Sequence, residues 1–250
     1  MTDNSGSFWE HLEELRGVLL RLLAAVVTLS IVAFILKEPL FRLVLAPSKG
    51  DFPLFQLLDA APFELYLMNT GLTEQFLIHV KTAMYAGLLV ASPYIIYALF
   101  GFIAPALYEN ERKNTTQVVC FSYIMFILGT AINYIIVFPL TVRFLGTYQV
   151  SPDVANMLTL QSYVDTLLMM SLLMGIVFEL PVVCWLLARM GILKSALMRE
   201  YRRHALVAIL TVSAIITPTT DAFTFLVVAL PIWLLYECSI LIVKTVKQKG

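Results

Sequence analysis

Long apolar runs, uncharged through their centres, constrain this chain more than anything else in it. A helix needs about 20 such residues to cross the hydrocarbon core of a bilayer. Runs of that kind occupy 18–36, 76–104, 118–140 and 162–188, and two more close the chain at 205–217 and 222–243. They are far longer than the alternating segments of about 10 residues that build an outer-membrane barrel. Composition agrees: 60% of the 250 residues are hydrophobic and 14% charged, with a mean hydropathy of +0.84. Soluble domains run at about 45–50% apolar and about 25% charged. The expected fold is an all-α polytopic membrane protein, one membrane domain with six crossings.

The last two crossings read as short. The apolar part of the fifth, 205–216, reaches about 18 Å at 1.5 Å per residue, and Glu237 interrupts the sixth. Between the first two spans lies a mixed segment, 37–75, carrying Pro39, Pro47, Pro53 and Pro62. It is too polar to cross and is expected to form an ordered cap with short helical pieces such as 62–69. Polar loops fall at 105–117, 141–161 and 189–204, and a basic tail at 244–250. Pro93 is expected to bend the second span.

Net charge is formally zero, so the total identifies no partner. The distribution gives an orientation. Most of the 17 Lys and Arg lie in the N-terminal segment, 105–117, 189–204 and the tail, which the positive-inside rule places in the cytoplasm. Both termini are then inside, and 37–75 and 141–161 are outside. The N-terminus has no short apolar region ending in a small-residue cleavage site, so no cleavable signal is expected. Cys120, Cys184 and Cys238 are widely separated in apolar runs and fit neither a disulfide framework nor a metal site.

Ahead of the first span, residues 7–16 read SFWEHLEELR. On a helix Phe8, Leu12 and Leu15 share one side, while Glu10, Glu13 and Glu14 gather on the other. Ser7 with Glu10 fits a capping-box start. Helices that lie on membranes usually present Lys and Arg to anionic lipid; the carboxylates here would be repelled. Two readings stand: an ordinary solvated face, or a docking face for a cationic partner. Glu109, Glu111, Arg112 and Lys113 lie on the same cytoplasmic side. Two acidic walls suit guanidinium groups, which donate paired, charge-assisted hydrogen bonds to carboxylates.

Glu179, in GIVFELPVV, is the most costly residue to place. A carboxyl near mid-membrane costs roughly 2–3.5 kcal/mol on insertion scales, so it should face protein, water or a partner. Pro181 removes a helix hydrogen bond beside it. Hydrogen bonding within the fold and a site for binding or proton handling both remain open. Asp221 is read as the cap of the last helix, and Glu237 as the end of the sixth span. His11, His79 and His204 are read as interfacial packing. Nucleotide-binding, zinc-protease and serine-hydrolase motifs are absent, so an enzyme is not expected; neither is a cofactor, a metal or a nucleic-acid partner.

Four motifs occur in order: S-F-x-x-H-L-x-E-L-R before the first span, F-I-A-P-A-L-Y-x-x-E-R after the second, F-E-L-P in the fourth and T-P-x-x-D before the sixth. In this the chain resembles the TatC family, the multispanning receptor subunit of the twin-arginine protein translocase, over nearly its whole length. The resemblance implies a concave, glove-like bundle in the bacterial inner membrane. It would bind the twin-arginine signal peptides of folded cargo and recruit single-span TatA- and TatB-type subunits into a hetero-oligomer driven by the proton-motive force. Glu14 and Glu111 would hold the two arginines, with Arg16 and Arg112 in the same site. Glu179 would be the polar residue of the concave face, and Pro47 a motif residue of the first outer loop. The family often continues E-L-R-x-R, whereas Val18 stands at the second Arg position here and Arg21 is the next basic residue. The alternative function is a proton-coupled small-solute transporter using Glu179.

Overall fold

The structure, a computed structural model, describes residues 4–58, 65–103, 115–149, 151, 157–217 and 221–246. Its elements are α1 (Asn4–Ile35), α2 (Lys37–Val44), a 3₁₀ turn (Ala46–Ser48), α3 (Pro53–Leu57), β1 (Leu67–Met68) and α4 (Glu74–Ile103). Then come α5 (Thr115–Ile132), a π-helical stretch (Asn133–Val137), α6 (Phe138–Thr147), β2 (Leu158–Thr159), α7 (Leu160–Val177) and α8 (Leu180–Arg189). The chain closes with α9 (Ser195–Glu200), α10 (Arg202–Ile216) and α11 (Ala222–Thr245). Among the described residues, five stretches are long and apolar enough to cross a membrane: Leu15–Ile35, Glu74–Gly101, Thr116–Thr147, Leu160–Arg189 and Ala222–Thr245. The penultimate helix, α10, has 15 residues, about 22 Å of rise.

The chain divides into two compact units, Met1–Leu40 with Phe76–Tyr123, and Phe41–Gln75 with Ile124–Gly250. In the first, α1 and α4 touch closely. A Cβ on Gly87 would lie 2.6 Å from the Ser30 backbone nitrogen, so only glycine permits this approach. Phe34 stacks on His79, ring centroids 4.0 Å apart and 11° from parallel. Several polar groups in these apolar helices are satisfied within their own helix, since lipid offers them nothing. The Ser30 hydroxyl donates to the Val26 carbonyl at 2.7 Å, and Arg21 Nε donates back to the Gly17 carbonyl at 3.1 Å. Pro93 has no N–H for the Leu89 carbonyl four residues earlier; the Ser92 hydroxyl donates to that carbonyl instead, at 2.7 Å.

In the second unit α5 and α7 pack through small residues on both sides. A Cβ on Gly129 would lie 2.7 Å from the Met174 carbonyl oxygen and from Phe178, and one on Gly175 would lie 2.8 Å from Phe126. Beside this crossing the Asn133 amide, wholly buried, donates to the Ser171 hydroxyl at 2.8 Å. Two tyrosines anchor the C-terminal end of α2. Tyr163 donates to the Val44 carbonyl at 3.0 Å, and Tyr134 to the Leu43 carbonyl at 2.7 Å. At the other end of the unit Ala188, Met198, Ile240 and Val243 form a buried cluster, and the Tyr236 hydroxyl donates to the Met198 carbonyl at 2.7 Å.

Four details depart from the sequence reading. The first helix starts at Asn4, upstream of Ser7; Asn4 and Ser5 are themselves cap-type residues, so Ser7 does not begin it. Of 62–69, residues 62–64 lie outside the described set, and Leu67–Met68 form a strand paired in parallel with Leu158–Thr159. The third span does not stop at 140: α6 continues to Thr147, with the buried Thr141 hydroxyl tied to the Val137 carbonyl at 2.9 Å. The last helix is not short. Its 24 residues run past Glu237 without a break, because the Glu237 carboxylate is paired with Arg202 at 2.6 Å.

Candidate functional site

The acidic N-terminal stretch lies on α1. Glu10, Glu13 and Glu14 precede the candidate span that begins at Leu15, and Arg16 stands at its start. Glu13 and Arg16 are exposed. Glu111 and Arg112, with Glu109 and Lys113, lie outside the described residues. The helices that bracket them are α4, ending at Ile103, and α5, beginning at Thr115. Both bracketing ends belong to the same compact unit as α1. In sequence, Glu10, Glu13 and Glu14 thus stand just ahead of an apolar span. Carboxylates accept hydrogen bonds from guanidinium or ammonium groups.

Glu179 sits where the fourth span breaks. Helix α7 ends at Val177, Phe178 and Glu179 form a turn, and α8 begins at Leu180. Pro181 stands in the first turn of α8, where a missing N–H costs nothing. Backbone bonds bridge the break, from Glu179 N–H to the Ile176 carbonyl at 3.1 Å and from Val183 N–H to the Glu179 carbonyl at 3.0 Å. The Glu179 side chain is half-buried, consistent with a polar group placed at a local opening of the helix.

The other motif residues have clear local roles. Pro47 is buried in the 3₁₀ turn, just after the helix end held by Tyr134 and Tyr163. Asp221 caps α11, its Oδ1 accepting the Thr224 N–H at 2.6 Å. Glu237 pairs with Arg202 rather than ending a span.

One residue the sequence reading passed over organises more of the fold than any of these. Glu74 is buried at the start of α4. Its Oε2 accepts from the backbone N–H of Gly71 at 2.7 Å and of Thr70 at 3.0 Å, and from the Thr70 hydroxyl at 3.2 Å. Its Oε1 accepts the Gln161 N–H at 3.2 Å. Thr159 caps the same helix start by accepting the Ser162 N–H at 3.2 Å. The local signal was there: turn-forming Asn69, Thr70 and Gly71 stand just before a Glu that opens an apolar helix.

Several helices of crossing length and apolar composition define a multi-pass membrane protein. Comparison with known proteins makes the class specific. The family described as Sec-independent protein translocase protein (TatC) matches residues 10–231. The chain is 31% identical to TatC of Blattabacterium sp. subsp. Periplaneta americana, over 98% of each chain. It is also 31% identical to TatCy of Bacillus subtilis strain 168, over all of this chain and 93% of that one. A crystal structure of the twin-arginine translocase receptor TatC in DDM superposes with a TM-score of 0.78 at 30% identity, covering 92% of this chain and 98% of that one. The chain belongs to the TatC family, and is a component of a Sec-independent protein translocase.

Proposed function

We propose that this chain is the receptor and core subunit of a twin-arginine translocase in a bacterial inner membrane. It crosses six times, with α10 as the short fifth crossing and both termini cytoplasmic. Glu14 and Glu111 bind the two arginines of a signal peptide, and Glu10, Glu13, Arg16 and Arg112 shape the surrounding field. The apolar segment of the signal then lies along the bundle, while single-span TatA- and TatB-type subunits assemble on it. Glu179 supplies the polar contact at the opening between α7 and α8. Export of the folded cargo is driven by the proton-motive force.

The observation that carries this reading is the run of carboxylates on α1, directly against the start of an apolar span, in a chain whose family match takes in both acidic segments. Capture works by charge. Each guanidinium–carboxylate pair contributes roughly 1.5–3 kcal/mol, and two together fix both position and spacing of the ligand. A photocrosslinker at Leu12 should give an adduct with a twin-arginine precursor, and a precursor with both arginines replaced by alanine should give none. Equal adducts from the two precursors would remove the proposal.

A further inference from the structure

Where α8 and α11 end, the second unit gathers cations that its own carboxylates leave uncovered. Ala188 near the end of α8, Met198 on α9 and Val243 near the end of α11 share one buried cluster. The residue after each is basic, Arg189, Arg199 and Lys244, and all three are exposed. Lys194 directly precedes α9, and Arg203 stands in the first turn of α10; both are exposed as well. The turn that joins α8 to α9 is built, not loose. Gly191 takes a φ of 75°, and the N–H of Ile192 donates to the Leu187 carbonyl at 3.0 Å.

The chain supplies little counter-charge to this rim. Glu237 is taken by Arg202 at 2.6 Å. Glu200, itself exposed, forms no salt bridge with any of the five cations among the described residues. Helix α10 has no acidic residue in its first turn, where the helix dipole favours one, so Arg203 is not offset there either.

The depth of the rim selects what covers it. Two candidate spans, Leu160–Arg189 and Ala222–Thr245, end at this point, which puts the cations at the level of lipid headgroups. Arg189 lies over the Trp185 ring, 4.9 Å from its centroid, an aromatic of the kind that settles at membrane interfaces. Between the cations, Ile192 and Leu197 are 64% and 47% exposed. A soluble anion would neutralise the charge and leave these two side chains in water. A zwitterionic lipid would cover them but bring no net charge. An anionic phospholipid does both, because surfaces of this kind bind through buried apolar area together with attraction to acidic headgroups.

We infer that this rim binds the headgroup of an anionic phospholipid, with Lys194, Arg199, Arg203 and Lys244 facing its charge and Ile192 and Leu197 entering the acyl boundary. The inference needs the membrane-spanning fold alone and is independent of the receptor reading.

Trp185 serves as the reporter, in the full chain carrying Trp9→Phe and Trp233→Phe. The protein is placed in nanodiscs of equal parts phosphatidylcholine and phosphatidylglycerol, with bromine on the acyl chains of one lipid or of the other. Quenching of Trp185 should show phosphatidylglycerol preferred about tenfold. Arg199→Gln combined with Arg203→Gln should remove most of that preference, since each cation near the surface is worth about fivefold. Arg42→Gln, the same change of charge on exposed α2, should leave it intact. Equal quenching by the two brominated lipids would overturn the inference, as would a preference that survives the double substitution or falls equally with Arg42→Gln. Loss of the preference on adding glycerol 3-phosphate to the aqueous phase would overturn it too, by assigning the cations to a soluble anion.

Discussion

Glu74 Oε1 accepts the backbone N–H of Gln161 at 3.2 Å, although 87 residues separate them. The contact joins Glu74 to the first turn of α7 within the second unit, and the other carboxylate oxygen gathers the 70–71 turn into the same joint. All four donors are N–H or O–H groups, so only an acceptor fits among them. Glu74→Gln would turn an amide NH₂ toward donors at one oxygen position. It should lower the thermal midpoint in detergent by several degrees, whereas Glu38→Gln on exposed α2 should leave it unchanged. Equal midpoints for the two variants would show that the joint is not what holds the ends together.

The crossing of α5 and α7 tolerates no side chain at Gly129. Gly129→Ala places a methyl 2.7 Å from the Met174 carbonyl oxygen, and overpacking of this kind costs about 1–3 kcal/mol. At Gly101 a Cβ meets nothing within 4 Å, so Gly101→Ala should stabilise α4 by roughly 0.5–1 kcal/mol through helix propensity. Thermal unfolding in one detergent should move in opposite directions for the two variants.

Tyr163 and Val44 are both buried, and their bond spans 119 residues. Tyr163→Phe leaves the Val44 carbonyl without that donor, at a cost of about 1–3 kcal/mol. The segment from 44 to 48 should then become more accessible. Limited proteolysis or cysteine labelling at Ser48→Cys should be faster in Tyr163→Phe than in the parent.

Arg202 and Glu237 pair at 2.6 Å with side chains 51% and 28% exposed. Partly exposed pairs are weakened by solvent, so a double-mutant cycle of Arg202→Ala and Glu237→Ala should give a coupling of about 0.3–1 kcal/mol, smaller at high salt. A coupling above about 2 kcal/mol would mean the pair is shielded from solvent.

The long helices were legible because runs such as 162–188 have no alternative to a helix in lipid. Asp221 was legible as a cap because a cap acts on residues three positions away. Pro181 marked the break at Phe178–Glu179 for the same reason, a proline acting within its own turn. What the sequence hid depends on partners far along the chain. Glu237 reads as a terminator until Arg202 is beside it, and Glu74 as one more loop residue until Gln161 is. The strands at Leu67–Met68 and Leu158–Thr159 are two residues each, too short for any periodicity to announce them. The π-helical turn at Asn133–Val137 begins at Asn133, whose amide bonds to Ser171 38 residues on, a partner no local pattern announces. Of the acidic site, the carboxylates on α1 could be read directly. Their meeting with Glu111 rests on the proposal.

That meeting is open to direct measurement. A fluorescent twin-arginine signal peptide is titrated into the purified full chain and into its Glu14→Ala and Glu111→Ala variants. Each substitution should weaken binding by about 10–100-fold, the loss of one guanidinium–carboxylate pair, while a peptide with its two arginines replaced by alanine should lose discrimination among the three proteins. Unchanged affinity for the twin-arginine peptide in both variants would contradict the account.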